Sequence, residues 1–400
     1  MEFLPFFLIL LVATFFSAVF QRLHIPWVVA LILGGIIIGP FGFDLLEIDE
    51  TIYFLGQIGI VFLMFMAGLE TKVSDLRSSS GSLFTIATFN TVIPFLAGFI
   101  LALFFEMGIS AAILLGIIFI SSSVGVVLPS LQSNGLLSTR PGRVITSVVV
   151  FEDIFSLFLL AIFLHIVIPE AGFSNLPLWA FLPLFFLSLV VLRFIIPKIK
   201  WLVSLKEQTP SEIDEPKEDE YGSGSSNDLR VILVALLGTV VVFGFLGIHP
   251  IAGGFFAGLV LSDTITSKKI KERFRTIGYG IFIPIFFIII GVQTDLGVFT
   301  KMEGVLILTV SVVLTSMISK FLSGFLGSKI NNMSNKEASL VGASSMSQLS
   351  ITLAVAFTGV EAGIISEDLA TALVTLTIVS TLIAPLLIRW LARDLDIKVV

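Results

Sequence analysis

The chain has 400 residues, of which 56% are hydrophobic and 13% charged, with 39 phenylalanines and a formal net charge of −6. A soluble domain carries about 25% charged residues, so this composition, with a mean hydropathy of +1.07, marks an all-α polytopic membrane protein; neither an enzyme nor a nucleic-acid binder is expected, since no catalytic constellation or nucleotide motif stands out. The absence of cysteine excludes disulfides and thiol chemistry, and the three histidines (His24, His165, His249) are too scattered for a metal site.

A membrane-spanning helix needs about 20 apolar residues, and hydropathy divides the chain into thirteen such segments. They run roughly over 3–20, 25–40, 52–69, 82–105, 109–131, 141–167, 177–197, 229–246, 248–262, 277–292, 303–326, 337–359 and 367–391. The first has no basic leader and no small-residue cleavage site after it, so it reads as a span rather than a signal peptide. Only Gly247 to Pro250 divides the eighth from the ninth.

Basic residues alternate with the loops. Arg22, Lys72 with Arg77, Arg140 with Arg143, Lys198–Lys217, Lys268–Arg275, Lys329 with Lys336, and Arg389 with Arg393 fall on one side. Asp44, Glu47, Asp49, Glu50, Glu106, Glu170, Glu361, Glu367 and Asp368 fall on the other, with Lys301 the basic exception. The excess of Lys and Arg in cytoplasmic loops then puts the N-terminus outside and the C-terminus in the cytoplasm.

The polar, acidic, Gly/Ser-rich stretch 206–228 reads as a disordered cytoplasmic linker. It separates two halves that echo each other. Gly34-Gly35-Ile36-Ile37-Ile38-Gly39 in the second segment parallels Gly253-Gly254-Phe255-Phe256-Ala257-Gly258 in the ninth. The third and tenth both run through phenylalanine-rich stretches to Gly68 and Gly291. Residues 1–176 would form a first six-helix repeat, 177–205 a linker helix and 229–400 a second repeat. An odd connector makes the two inverted in topology, a common transporter plan. Recurrent glycines also serve close helix packing.

Chemistry is expected where polarity lies deep in the spans. Glu152 and Asp153 sit together inside the sixth, where an ionised side chain costs about 2.5–3.5 kcal/mol on insertion scales. The fifth carries Ser121, Ser122 and Ser123 in mid-span. The twelfth, its counterpart if the repeats hold, carries Ser344, Ser345, Ser347 and Gln348. Matched polar runs read as broken helices whose freed carbonyls and helix ends line an ion site, although such serines also occur at tight helix crossings. Lys320, inside the eleventh, either snorkels toward the cytoplasm or pairs with Glu152. No phosphate loop, nucleotide fingerprint or catalytic triad is present, and no cofactor is expected.

Several stretches carry a family likeness: Arg22-Leu23-His24-Ile25-Pro26 leading to Gly35-Ile36-Ile37-Ile38-Gly39-Pro40, and Phe65-Met66-Ala67-Gly68-Leu69-Glu70. Others are Ser121-Ser122-Ser123, Gly135-Leu136-Leu137, Ala257-Gly258-Leu259-Val260-Leu261-Ser262 and Gly291-Val292-Gln293-Thr294-Asp295-Leu296. In this order, over nearly the whole chain, they resemble the monovalent cation:proton antiporter-2 family of Kef-type and sodium/proton exchanger membrane domains. The resemblance implies a sodium/proton antiporter-like fold of thirteen transmembrane helices and two inverted repeats with broken crossing helices. It further implies a homodimer in the lipid bilayer with a mobile ion-carrying core and elevator-like alternating access.

In that family Asp153 matches the ion-binding aspartate, and Lys320 the basic residue of the penultimate core helix. The position of Glu152 is aspartate, asparagine or glutamine in the family's branches, so glutamate departs from all three. The implied activity is exchange of Na+ or K+ for H+, with the cation on Asp153, Glu152 and the oxygens of Ser121–Ser123. About nine residues follow the last segment, so the Kef-type regulatory domain is expected as a separate cytoplasmic subunit, or is cut from this sequence. A gated potassium channel and a non-transporting membrane sensor are the alternatives.

Overall fold

A computed structural model describes residues 3–22, 26–71, 80–167, 177–204, 223–245, 249–262, 268–297 and 303–393. Residues 206–222 of the expected linker lie outside these, as do His24, Lys72, Arg77, Glu170 and Lys301. All regular structure among the described residues is helical. Among the described residues, eight stretches are long and apolar enough to cross a membrane: Glu50–Glu70, Leu83–Phe104, Ile109–Ser133, Arg140–Val167, Lys271–Val292, Gly304–Ile330, Asn335–Glu361 and Glu367–Ala392. Shorter apolar helices cover Leu4–Phe20, Trp27–Ile38, Leu178–Val191, Leu236–Phe245 and Pro250–Ser262. Phe84, Phe104, Trp179, Leu386 and Trp390 are all more than 60% exposed, a pattern that hydrocarbon tolerates and water does not.

By contacts the chain divides into two compact units. The first comprises Met1–Ile60, Val73–Phe163 and Phe282–Val400. It contains α1 (Leu4–Arg22), α2 (Trp27–Ile38), the start of α3 (Glu50–Glu70), α4 (Ser80–Phe104), α5 (Ile109–Ile120), α6 (Val124–Ser133) and most of α7 (Arg140–Val167). Later in the chain α12 (Ile283–Val292), α13 (Glu303–Ile330), α14 (Asn335–Ser345), α15 (Ser350–Glu361) and α16 (Glu367–Ala392) complete it. Here α4 packs on α5 and α13, α13 on α14 and α16, and α2 on α12. A buried apolar cluster joins Ile86 of α4, Val127 and Leu131 of α6, Val148 of α7, Leu340 of α14 and Ile388 of α16.

The second unit, Val61–Lys72 with Leu164–Ile281, holds the rest of α3, α8 (Leu178–Ser204), α9 (Ser223–Phe245), α10 (Pro250–Ser262) and α11 (Lys268–Ile277). His165 is buried there and stacks on Phe181 with ring centroids 3.8 Å apart. α9 begins at Ser223, inside the stretch read as linker. α11 covers the expected basic loop Lys268–Arg275 and leads through a π-turn, Gly278–Phe282, into α12.

The repeated glycines make backbone contacts in both units. A Cβ on Gly35 of α2 would lie 2.2 Å from the Ile288 carbonyl of α12, and one on Gly291 would lie 2.1 Å from Ile32 O. In the second unit, a Cβ on Gly68 of α3 would lie 2.0 Å from Phe255 O of α10, and one on Gly258 2.1 Å from Phe65 O. Apolar association in lipid has little hydrophobic driving force, and such close approach supplies packing instead.

Candidate functional site

Two helices of the first unit are interrupted in mid-span. α5 ends at Ile120 and α6 starts at Val124; α14 ends at Ser345 and α15 starts at Ser350. Each break leaves orphan N–H and C=O groups, and hydrocarbon offers them no water. The two breaks satisfy each other. The Ser123 amide donates to Ser347 O at 2.7 Å, and the Ser122 hydroxyl to Ser345 O at 2.9 Å. The Gln348 side-chain amide reaches Phe119 O at 3.4 Å, while Ser380 of α16 accepts from the Gln348 amide at 3.2 Å. Ser344 and Ser345, expected in the second break, form the last turn of α14; the break itself is Met346–Leu349.

Glu152 and Asp153 lie on the unbroken α7, and adjacent helical positions turn their side chains about 100° apart. Glu152 is fully buried and fully engaged. Its Oε2 accepts from Lys320 Nζ at 2.7 Å and shares the single Ser122 hydroxyl proton with Ser345 O; its Oε1 accepts from Asn90 Nδ2 at 2.7 Å. Lys320 is also fully buried and does not snorkel. Its ammonium donates a second bond, 2.7 Å, to Ile120 O. One cation thereby neutralises Glu152 and caps the C-terminal, electronegative end of α5.

Asp153 is 6% exposed and differently served. The backbone N–H groups of Ser122 and Val124 lie close enough to its carboxylate to favour a negative charge there. That places it at the electropositive N-terminus of α6, where anions are favoured. Its Oδ1 is buried without a hydrogen-bond partner, as are the hydroxyls of Ser123, Ser344 and Ser347. Ser123 is the N-cap residue of α6, yet its side chain makes no capping bond. A buried, unsatisfied oxygen costs about 1–3 kcal/mol, so the uncommitted, anionic oxygen of Asp153 suits a dehydrated hard cation or a proton. Ser121, the C-cap of α5, is buried beside Ser122 in the sequence, 2% exposed.

The sequence reading missed Asn90. It lies within apolar α4, is wholly buried, and contacts Glu152, Ser345 and Ser323. A lone amide inside a long apolar run was the available signal, and Pro94, four residues on, strengthened it by offering no N–H to the Asn90 carbonyl.

On one side of these helices a cavity of about 430 Å³ is lined by Ile290, Gln293, Leu353, Phe357 and Val374, with Glu47, Glu361 and Glu367 around it. Gln57 of α3 donates to Glu361 there at 3.0 Å.

A family profile described as "Sodium/hydrogen exchanger, transmembrane" matches residues 7–394. The chain belongs to this family. Among similar proteins are the probable Na(+)/H(+) antiporter 3 of Methanocaldococcus jannaschii, 27% identical over 96% of this chain and 95% of its own. The Na(+)/H(+)-K(+) antiporter GerN of Bacillus cereus is 29% identical over 100% of this chain and 99% of its own. Among solved structures, the sodium proton antiporter MjNhaP1 of M. jannaschii superposes with a TM-score of 0.64 over 97% of both chains at 17% identity. That likeness establishes the shared helical fold.

Proposed function

We propose that this chain is a secondary active antiporter exchanging Na+ or K+ for protons across a cell membrane, with Asp153 carrying cation and proton in turn. The observation that carries the reading is the contrast between the two carboxylates. Glu152 is neutralised by Lys320 and saturated with donors, whereas Asp153 keeps an unpartnered oxygen at the bare N-terminus of an interrupted helix. One uncompensated negative charge, close to the backbone of Ser122 and Val124, can hold either a small cation or a proton. Competition of both for one carboxylate is the simplest route to obligatory exchange. Family membership and relatives named as Na(+)/H(+) antiporters support the ion class; the name of GerN, and that of the yeast K(+)/H(+) antiporter 1, keep K+ beside Na+.

The finer architecture belongs to the same proposal. The eight long spans and five shorter apolar helices support thirteen membrane segments. The inverted repeat would map the second segment onto the ninth and the third onto the tenth. It therefore exchanges the close glycine packing of α2 on α12 for that of α10 on α3, and both packings are present, which supports it. Elevator-like alternating access, a homodimer, an outside N-terminus with a cytoplasmic C-terminus, and a separate cytoplasmic regulatory subunit are further parts of the reading. The Kef-type subdivision rests on the motif set alone.

The test is purified protein in liposomes with an internal pH dye, offered Na+, K+ or Li+. Cation-driven proton movement that saturates with cation supports antiport. Large currents uncoupled from protons would favour a channel, and no flux with any cation would favour a sensor.

A further inference from the structure

Asn90 sits at the centre of a closed ring of hydrogen bonds. Its Nδ2 group donates to Glu152 Oε1 at 2.7 Å and to Ser345 Oγ at 2.8 Å, and its Oδ1 accepts from Ser323 Oγ at 2.6 Å. The carboxylate only accepts, so the amide orientation is fixed. Ser122 closes the ring from the other side, within reach of both Glu152 Oε2 and the Ser345 carbonyl. A serine hydroxyl has one proton, however, and serves one of these acceptors at a time. Asn90 has two N–H groups and serves both partners at once. Among the described residues it is therefore the side chain that ties the Glu152–Lys320 pair to the end of α14 without choosing between them. Ser323 lies one turn beyond Lys320 on α13 and turns its single proton either to Asn90 Oδ1 or to the Lys320 carbonyl, so the amide also links that helix to the pair when the proton faces it.

We infer that Asn90 is a positioning residue of the ion site: it fixes Glu152 against Lys320 and anchors both to the second helix break, setting the frame in which Asp153 meets the cation. This rests on the antiport reading above. Without the amide, Glu152 Oε1 loses its donor and the carboxylate keeps only its Oε2 contacts, while the end of α14 at Ser345, just before the break, is released from α4. The loss falls on cation binding more than on turnover.

The test measures cation-driven proton flux in liposomes against Na+ and K+ concentration for Asn90→Leu, close in volume but without a donor. The loss of a net hydrogen bond predicts a KM raised roughly three- to tenfold, kcat changed less than KM, and a shifted Na+:K+ preference. Asn90→Gln, which restores an amide, should recover part of the affinity. A purely packing role would lower thermal stability yet leave KM and ion preference at wild-type values, and that result overturns the inference. If Asn90→Leu does not yield folded protein, Asn90→Thr, with a single donor, decides the matter: a raised KM supports the role and a wild-type KM refutes it. A wild-type protein showing no cation-driven flux would instead remove the antiport reading; wild-type exchange with indifferent Asn90 variants removes only this inference.

Discussion

Removing the Lys320 ammonium should destabilise the protein far more than removing the whole pair. Lys320 and Glu152 are both 0% exposed and 2.7 Å apart, and the ammonium also holds Ile120 O at 2.7 Å. Forming such a pair gains little net stability because both charges lose hydration, but orphaning one costs about 3–5 kcal/mol. Unfolding entropies of about 2.1 cal/mol/K per residue imply roughly 1.2 °C of Tm per kcal/mol for 400 residues. Lys320→Met should therefore lower Tm by roughly 4–6 °C, more if the Ile120 carbonyl stays bare. Glu152→Gln, which leaves the ammonium unpaired, should cost a similar amount. The double variant has neither charge, and its Gln can still accept from Asn90. It should stand at least roughly 4 °C above the sum of the single losses, a coupling of about 3 kcal/mol or more. Thermal unfolding of the four proteins in detergent, followed by intrinsic fluorescence, gives the cycle directly. Additive losses would refute the claim that these charges are paired and buried.

Other outcomes follow from the same geometry. Ser123→Ala removes an uncommitted hydroxyl and should raise the cation KM about tenfold, the equivalent of about 1.4 kcal/mol, with little change in Tm; an unchanged KM in the liposome assay would take Ser123 out of the site. Gly35→Ala forces a Cβ to 2.2 Å from a backbone carbonyl and should cost about 1–3 kcal/mol. Gly238→Ala, inside α9 with nothing within 4 Å, should be neutral or stabilising by up to about 1 kcal/mol; the two Tm shifts check both. Because the Glu152 charge is tied to Lys320, Asp153 supplies the one free charge, and exchange should be one-for-one. The flux should then vanish wherever imposed cation and proton gradients are equal, whatever the membrane potential, and a null point that moves with potential would contradict this.

Much of this arrangement could be read before the structure. Most helix positions agreed to within a few residues because apolar runs end sharply at Gly, Pro and charged loops; α8 and α9 run further, to Ser204 and from Ser223, into the polar stretch between them. The breaks were visible because runs such as Ser121–Ser123 are costly at mid-span unless the backbone itself needs them. Three features were less legible. α11 carries so many bases that hydropathy gave it to a loop, although it continues into a membrane-spanning stretch. The π-turn at Gly278–Phe282 has no side-chain signature of its own. Asn90 was hidden because one amide in an apolar helix has the same hydropathic trace whether it packs idly or joins three other helices. The family likeness had set Asp153 apart and offered Glu152 as a partner for Lys320, but the donors that hold Glu152 were out of reach, since adjacent residues on α7 differ only in which neighbours they face.

The central claim is that Asp153 is the group on which cation and proton alternate. Asp153→Asn keeps the shape of the side chain and its place at the start of α6 but removes the charge. Reconstituted in liposomes with an internal pH dye, this variant should fold with wild-type yield and show no proton movement on addition of Na+ or K+. Cation-driven flux near the wild-type rate in that variant would contradict the account.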